Sequence, residues 1–311
     1  MRSQCDPWRS HVVVTFQRAQ ETCTHKWIGG ELRFDIGTAL QNMCTFRSRL
    51  IATVLSATTL AALTRQAYGE PRVERVVDLS YPYDERTVYW SQDDRFLLNV
   101  SEVTGDAETW YQVDTMATRT HGGTHLDAPL HFVKDGWDVA QIPVDRLALV
   151  PVSLVDIAQR CAQNRSCQLA IHDVIQWEAT HGTLPDRCVL LVRTGWDKFS
   201  NNATSYFGLD AEGVRHFPSV SVEAAQFLAR ERHLIGMGID SGSLDVAHPF
   251  TVHQINARRG MYNLENLRAL DQVPASGAHA TVAPLKIAGA SGSPVRVFAY
   301  LPETHSHGTE L

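Results

Sequence analysis

Residues 121–131 read His-Gly-Gly-Thr-His-Leu-Asp-Ala-Pro-Leu-His, and the interpretation of the whole chain starts from this stretch. It contains four side chains that can bind a metal or carry a proton: His121, His125, Asp127 and His131. Imidazole combined with carboxylate is a ligand set that suits Zn, Mn or Fe. His125 and Asp127 are two residues apart, so on an extended strand both side chains point to the same face. The stretch therefore predicts a metal site rather than a surface loop in which histidines occur by chance.

Further ligands have to come from elsewhere in the chain, because a metal site needs enough donors to balance its charge and coordination. The downstream candidates are His253 and Glu265, which are twelve residues apart. Taken alone, His253 is equally well interpreted as an ordinary helix residue. We expect the segments around 125 and 260 to converge on one divalent cation.

From Arg75 onward, apolar segments of strand length alternate with segments of helical periodicity. The predicted strands are Val76–Leu79, Phe96–Val103, Trp110–Ala117, Leu147–Ile157, Val189–Arg193, Leu234–Ile239 and Val295–Leu301. The predicted helices are Ile171–Ala179, a helix capped by Ser221 with Ala224, Ala225, Leu228 and Ala229 on one face, and a weaker candidate at His253–Arg259. Pro151 predicts an edge strand or a break in its segment, since proline cannot donate to a sheet ladder. The alternation predicts one α/β or α+β domain over residues 70–302.

The residues before this domain have the pattern of a secretory leader. After Met43, basic residues precede an apolar run at Leu50–Leu63, and small residues follow at Ala67 and Gly69. This pattern predicts a signal peptide over 43–69, and the alternative is a buried helix of the fold. Residues 1–42 are then a non-native extension or a disordered segment.

Three glycosylation sequons, which begin at Asn99, Asn164 and Asn202, agree with secretion. We expect a secreted protein if translation starts at Met43, and a cytoplasmic protein otherwise. At the other end of the chain, the polar residues 303–311 are predicted to form a flexible tail.

The composition is that of an ordinary globular protein. The formal net charge is −6 and the sequence pI is about 6.1, which gives no reason to expect nucleic acid or an anionic membrane as a partner. Cys161 and Cys167 flank a polar loop and could close it as a disulfide, whereas Cys188 begins an apolar run and is predicted to be a buried thiol. The chain has no Cys-x-x-Cys pair, so a structural zinc site is not expected.

The spacing of residues 121–131 matches the signature His-x-Gly-Thr-His-x-Asp-x-Pro-x-His at every fixed position. In this respect the chain resembles the putative cyclase family, which includes kynurenine formamidases and isatin hydrolases. The resemblance continues through Asp78-Leu-Ser80, Arg193-Thr-Gly-Trp196-Asp, Gly238–Asp245, Glu265-Asn-Leu267 and Gly292–Arg296. It implies a single domain with a mixed, barrel-like β-sheet core flanked by helices.

The resemblance also implies roles for the residues that match. It implies that His121, His125 and Asp127 bind one metal ion, and that Asp127, His253 and Glu265 bind a second one. His131 resembles the catalytic acid/base, and Trp90 is similar in placement to a tryptophan that lines the substrate pocket of the kynurenine formamidases. The implied cofactor is Zn or Mn, as one or two ions, and the implied assembly is a homodimer.

The predicted activity is hydrolysis of an aryl amide by metal-activated water, with His131 returning the proton to the departing amine. The first candidate substrate is N-formylkynurenine, and the alternatives are an isatin-like cyclic amide or a secreted metal-binding protein without turnover. An Fe(II) oxygenase would use His125, Asp127 and His253 and would leave the other candidate ligands idle. A serine hydrolase is not favoured, because Ser241-Gly-Ser243 lacks the glycines of a nucleophile elbow.

Overall fold

The structure of this chain is a computed structural model that describes residues 73–91, 93–103 and 110–303. The chain separates into two units, Met1–Gly69 and Glu70–Leu311, and only the second contains described residues. The predicted extension at 1–42, the predicted signal peptide at 43–69 and the tail beyond Glu303 lie outside them. No helix in the described part of the chain is both long enough and apolar enough to cross a bilayer.

The core of the domain is a mixed sheet whose strands close into a ring. The strands are β1 (Val73–Asp78), β2 (Leu97–Val103), β3 (Tyr111–Ala117), β4 (His125–Asp127), β5 (Val150–Asp156), β6 (Gln168–Leu169), β7 (Val189–Arg193), β8 (Ser219–Val220), β9 (Gly236–Ile239), β10 (Tyr262–Glu265), β11 (Ala278–Pro284) and β12 (Gly292–Pro302). The ring follows the order β12–β11–β5–β7–β9–β10–β4 and returns to β12, while β1 adds to β12. Strands β5, β7, β9 and β10 are parallel neighbours, and the other pairs are antiparallel. The predicted barrel-like α/β core is confirmed.

Strand β7 shows how the sequence pattern produces this architecture. Val189 and Leu191 belong to one hydrophobic cluster, whereas Leu190 and Val192 belong to another. Since successive side chains of a strand point to opposite faces, β7 is buried on both sides. This is why its sequence is a continuous apolar run and not an alternating one.

Helices cover the second of these clusters. They are α1 (Ala158–Cys161), α2 (Ile171–His181), α4 (Val222–Glu231) and α5 (Thr251–Arg258), whereas α3 (Ala203–Phe207) contributes Tyr206 and Phe207 to a third, aromatic cluster. The Ser221 hydroxyl accepts a hydrogen bond from the backbone N–H of Ala224 and caps α4 as predicted. The buried face of α4, which includes Leu228, packs in one cluster with Val174 of α2.

The predicted elements are present, and most of their ends lie within three residues of the predicted ones. The sheet differs from the prediction in two respects. The Leu147–Ile157 segment is neither an edge nor a break: β5 lies between β11 and β7 inside the ring. Pro151 is tolerated there because the ladder to β7 begins only at Val152. The strands β4, β10 and β11 were missed altogether.

Two further features matter for function. Strands β2 and β3 form a separate two-stranded ribbon. Its base lies beside the bridge between Tyr89 and Gly122. Cys161 and Cys167 form a disulfide and Cys188 is a buried free thiol, as predicted.

Candidate metal centre

Five of the six metal-binding and acid/base candidates come from four separate elements, and His121 lies in the bend that precedes β4. Strand β4 contributes His125 and Asp127, and the neighbouring strand β10 contributes Glu265, which lies directly opposite His125 in the antiparallel register. His253 comes from α5, and His131 ends a short 3-10 turn that begins at Pro129. The register between β4 and β10 joins two sequence segments that are more than a hundred residues apart.

Asp127 is the centre of the cluster. Its Oδ1 lies 2.7 Å from His121 Nδ1 and 3.3 Å from His125 Nε2. Its Oδ2 lies 3.3 Å from His253 Nε2. Glu265 closes the group, with Oε1 2.9 Å from His253 Nε2 and Oε2 3.6 Å from His125 Nε2.

Two sets of donor atoms are close enough to share one ion each: His121, Asp127 and His131 in one set, and His125, Asp127 and Glu265 in the other. Asp127 belongs to both sets, in agreement with its predicted bridging position. The partition between the sets differs from the one that the sequence implies, which put His125 with His121 and His253 with Glu265. The assignment of ligands to individual ions therefore stays a prediction.

The buried carboxylates of the cluster need positive charge close to them. Burial by itself would lower the pKa of His125, but the Asp127 and Glu265 carboxylates outweigh it and raise the pKa to about 9. In the same way, these two carboxylates and that of Asp245 raise the pKa of His253. The pKa of Asp127 is lowered despite its burial, because three imidazoles surround it. The buried carboxylates are thus satisfied either by protons on the imidazoles or by a metal ion.

The residues present fit a divalent metal. Asp127 Oδ2 is buried and, although His253 Nε2 lies 3.3 Å away, it accepts no hydrogen bond of good geometry from the described residues. A buried, unpartnered carboxylate oxygen is costly unless a cation meets it. The donors are imidazole nitrogens and carboxylate oxygens, which is the mixture that Zn and Mn accept.

A second layer of residues orients the imidazoles. Asp245 Oδ2 accepts a hydrogen bond from His253 Nδ1 at 2.7 Å, which leaves Nε2 facing Asp127 and Glu265. His125 Nδ1 lies 3.0 Å from the Gly123 carbonyl, so its Nε2 is likewise turned into the cluster. The carboxylate or carbonyl partner of each ring fixes the tautomer that a ligand requires.

His131 differs from the other histidines of the cluster in its exposure, because it is exposed whereas His125 and His253 are buried and His121 is half-buried. Its ring stacks on that of His121 with centroids 3.9 Å apart. Withdrawal from water by the surrounding protein lowers the pKa of His131 below its ordinary value. The ring is therefore neutral at neutral pH, which is the form in which an imidazole can accept a proton.

The cluster lies in a cavity of about 340 Å³ with an aromatic wall. Trp90, Phe132, Phe207 and Phe250 line it, and the Trp90 ring meets Phe207 and Phe250 edge-on at 5.8 Å. The structure therefore places Trp90 in the cavity, as predicted from its position in the sequence. The aromatic side chains reach the cluster itself, because the Phe132 ring lies 4.4 Å from that of His131 and 4.8 Å from that of His253.

Several residues of the site were not identified from the sequence. They are Phe132, Phe207, Ser243, His248, Phe250, Asn266 and Ser291, which line the cavity or bond its histidines. Asn266 directly follows Glu265, and its Nδ2 donates to the Gly123 carbonyl at 2.8 Å. Asp245 accepts a hydrogen bond from His253 Nδ1 and another from the backbone N–H of Val252 in the first turn of α5, so it supports both the site and the start of the helix.

Comparison with known proteins agrees with this geometry. Residues 77–246 match the putative cyclase family. The isatin hydrolase of Roseibium aggregatum is 30% identical over 66% of this chain and 80% of its own length. The kynurenine formamidase of Sphingopyxis alaskensis is 30% identical over 72% of this chain and 97% of its own length. The solved structure of isatin hydrolase A from Labrenzia aggregata, bound to benzyl benzoate, superposes with a TM-score of 0.67 at 31% identity, over 79% of this chain and 100% of that one.

Proposed function

The chain belongs to the putative cyclase family and is a metal-dependent hydrolase of non-peptide C–N bonds, and from that premise we propose that its substrate is a small aryl amide. The observation that carries the proposal is the position of the buried His/Asp/Glu cluster at the end of a cavity with an aromatic wall. N-formylkynurenine, which would give kynurenine and formate, is the first candidate. Isatin is the second.

Isatin is kept as a candidate because of the lining of the cavity. Away from the candidate metal ligands, Val88, Gly242 and four aromatic side chains make up most of the lining, and the polar residues there are Ser243, His248 and Asn266. Such a surface suits a flat bicyclic lactam, which carries no charged group. Isatin hydrolases are also among the proteins most similar to this chain in sequence and in structure.

Each residue of the cluster has a definable task in such a reaction. When bound, a divalent cation acidifies water and polarises a carbonyl oxygen. The residues that would hold it are His121, His125, Asp127, His253 and Glu265. The native ion is proposed to be Zn or Mn.

His131 carries the proton from the attacking water to the leaving group. As a neutral imidazole open to the cavity it accepts a proton from the attacking water, and as an imidazolium it donates that proton to the departing amide nitrogen. The nitrogen of an amide is a poor leaving group unless it is protonated, so both halves of this transfer are needed. Stacking against His121 holds the His131 ring beside the His/Asp/Glu cluster.

A substrate panel on metal-analysed protein tests the proposal. N-formylkynurenine, N-formylanthranilate and isatin are each incubated with protein loaded with Zn or Mn, and with protein treated with a chelator. We expect hydrolysis of at least one of them by loaded protein only. Full activity after exhaustive chelation, or no hydrolysis of any of them by loaded protein, would refute the proposal.

We also propose that the protein is a homodimer assembled through the β2–β3 ribbon. Large apolar side chains of this ribbon are exposed: Leu98 by 54%, Trp110 by 58% and Met116 by 57%. Leu98 and Met116 are cross-strand partners and therefore share one face. An isolated two-stranded ribbon is marginally stable in water, and a second copy of the chain would cover this one.

Light scattering after gel filtration tests this assembly. Leu98→Glu is expected to convert a dimer into a monomer, whereas Ile175→Glu, at an exposed position of α2, leaves the mass unchanged. A wild-type protein that elutes with the mass of one chain contradicts the dimer.

Secretion remains a further proposal, supported by the Cys161–Cys167 disulfide, since such bonds persist in oxidising compartments. Expression of the full chain and of a chain starting at Met43 in a eukaryotic host tests it. Appearance in the medium with residues 43–69 removed is the expected result, and retention of both chains in the cytosol contradicts it.

A further inference from the structure

Trp90 is contacted by a charged residue, Arg215, that does not line the cavity. The guanidinium carbon of Arg215 lies 3.8 Å from the centre of the Trp90 ring. Arg215 Nη2 also donates a hydrogen bond to the backbone carbonyl of Trp90 at 3.0 Å. Arg215 therefore contacts both the ring and the main chain of the same aromatic residue.

These contacts matter because Trp90 lies outside the regular strands and helices. No ladder of backbone hydrogen bonds fixes its orientation, so its side chain depends on its neighbours. Edge-on contacts with Phe207, Phe217 and Phe250 surround the ring, and the Arg215 guanidinium stacks on it. A planar guanidinium over an indole face is the strongest common form of cation–π contact.

We infer that Arg215 is a positioning residue that fixes Trp90 as a platform for the planar ring of the substrate. This inference rests on the proposed function and narrows it: affinity for a flat aromatic ring depends on Arg215, whereas the bond-breaking step does not. Arg215 does not line the cavity itself, and of the two lining rings that its guanidinium carbon faces, Trp90 at 3.8 Å is much nearer than Phe207 at 5.8 Å, so it acts mainly through Trp90.

The test compares Arg215→Met, Arg215→Lys and wild type, with steady-state kinetics on the best aryl amide of the panel. Arg215→Met is expected to raise KM about 5- to 30-fold while kcat is unchanged, since loss of a desolvated cation–π contact has this order of effect. Arg215→Lys keeps the charge but loses the planar stack, so its KM is expected to lie between those of wild type and Arg215→Met. Thermal unfolding of all three proteins shows whether each variant is folded. If Arg215→Met is not folded, the KM of Arg215→Lys decides the inference.

Two controls separate positioning from general damage. Arg165 lies over Trp196, 5.7 Å from that ring and outside the cavity, so Arg165→Met is expected to leave KM unchanged. In a Trp90→Ala background, Arg215→Met is expected to add no further increase in KM. An equal increase in that background, or a fall in kcat at unchanged KM, overturns the inference.

Binding of oxindole, a planar lactam without the ketone of isatin, separates this inference from the proposed function. Calorimetry is expected to give a weaker Kd for Arg215→Met than for wild type. The same Kd for both proteins overturns the role of Arg215 whether or not the protein hydrolyses amides. Absence of turnover together with a weakened Kd overturns only the proposed reaction.

Discussion

Replacement of Asp245 by Asn changes one carboxylate into an amide of the same shape behind His253. Asp245 Oδ2 accepts hydrogen bonds from His253 Nδ1 at 2.7 Å and from the His253 backbone N–H at 3.0 Å. Its Oδ1 accepts from the Val252 backbone N–H at 3.2 Å. Both oxygens are acceptors, so the NH₂ group of asparagine has no favourable place at this position.

The amide can be arranged in two ways, and both weaken the site. With its oxygen toward His253, the NH₂ group faces the Val252 N–H, and two donors oppose each other. With its NH₂ group toward His253, the imidazole has to carry its proton on Nε2, the atom that faces Asp127 and Glu265. Partners of this kind typically contribute about 10–100-fold to metal affinity, which is about 1.4–2.8 kcal/mol.

The assay is competition for Zn²⁺ between the protein and a chromophoric chelator of known affinity. We expect Asp245→Asn to bind the ion about 10–100-fold more weakly than wild type. Asp210→Asn is the matched control, because Asp210 also accepts from an imidazole, that of His216, and from two backbone N–H groups, but on the exposed surface. Unchanged affinity in Asp245→Asn, or equal losses in both variants, would refute the reasoning.

Three further outcomes are expected. His131→Ala should retain its metal by elemental analysis while turnover falls about 10²–10⁴-fold, and loss of the metal would make His131 a ligand instead. Burial raises the pKa of Cys188 to about 11, so peptide mapping should show no alkylation of this thiol by iodoacetamide until the protein is unfolded; labelling of native protein would contradict its burial. The hydrogen bonds from Arg232 hold the pKa of Glu178 below its ordinary value of 4.5, so the stability from this pair is present above that pH and is lost as the pH falls below it. Glu178→Gln should therefore lower Tm most at about pH 7 and progressively less as the pH falls below 4.5, and an effect of equal size at every pH would contradict the assigned cause.

The sequence was most informative where a local pattern determines structure. The strand at Val189–Arg193 was predicted with its observed ends, because burial on both faces leaves an uninterrupted apolar run. Ser221 identified the start of α4, since a capping hydroxyl acts on the next few residues of the same helix. Trp90 was placed through its resemblance to family members and not through any pattern of its own.

The sequence was least informative at the site itself. Strand β4 has three residues, two of them polar ligands, so it shows no strand periodicity. The contact between His125 and Glu265 depends on the register of β4 against β10, which no local signal encodes. The aromatic wall was missed for the same reason, because Phe132, Phe207 and Phe250 come from separate segments.

Strand β4 is hydrogen-bonded along both edges, to β10 on one side and to β12 on the other. The backbone that carries His125 and Asp127 is therefore part of the most protected framework of the protein, and its amide hydrogens should exchange only when the whole domain opens. The ion would then bind to a backbone that its own strand pairs already hold, unlike in small zinc modules that collapse around their metal. We expect chelated protein to stay folded, although it is less stable, and to regain activity when the ion is added back.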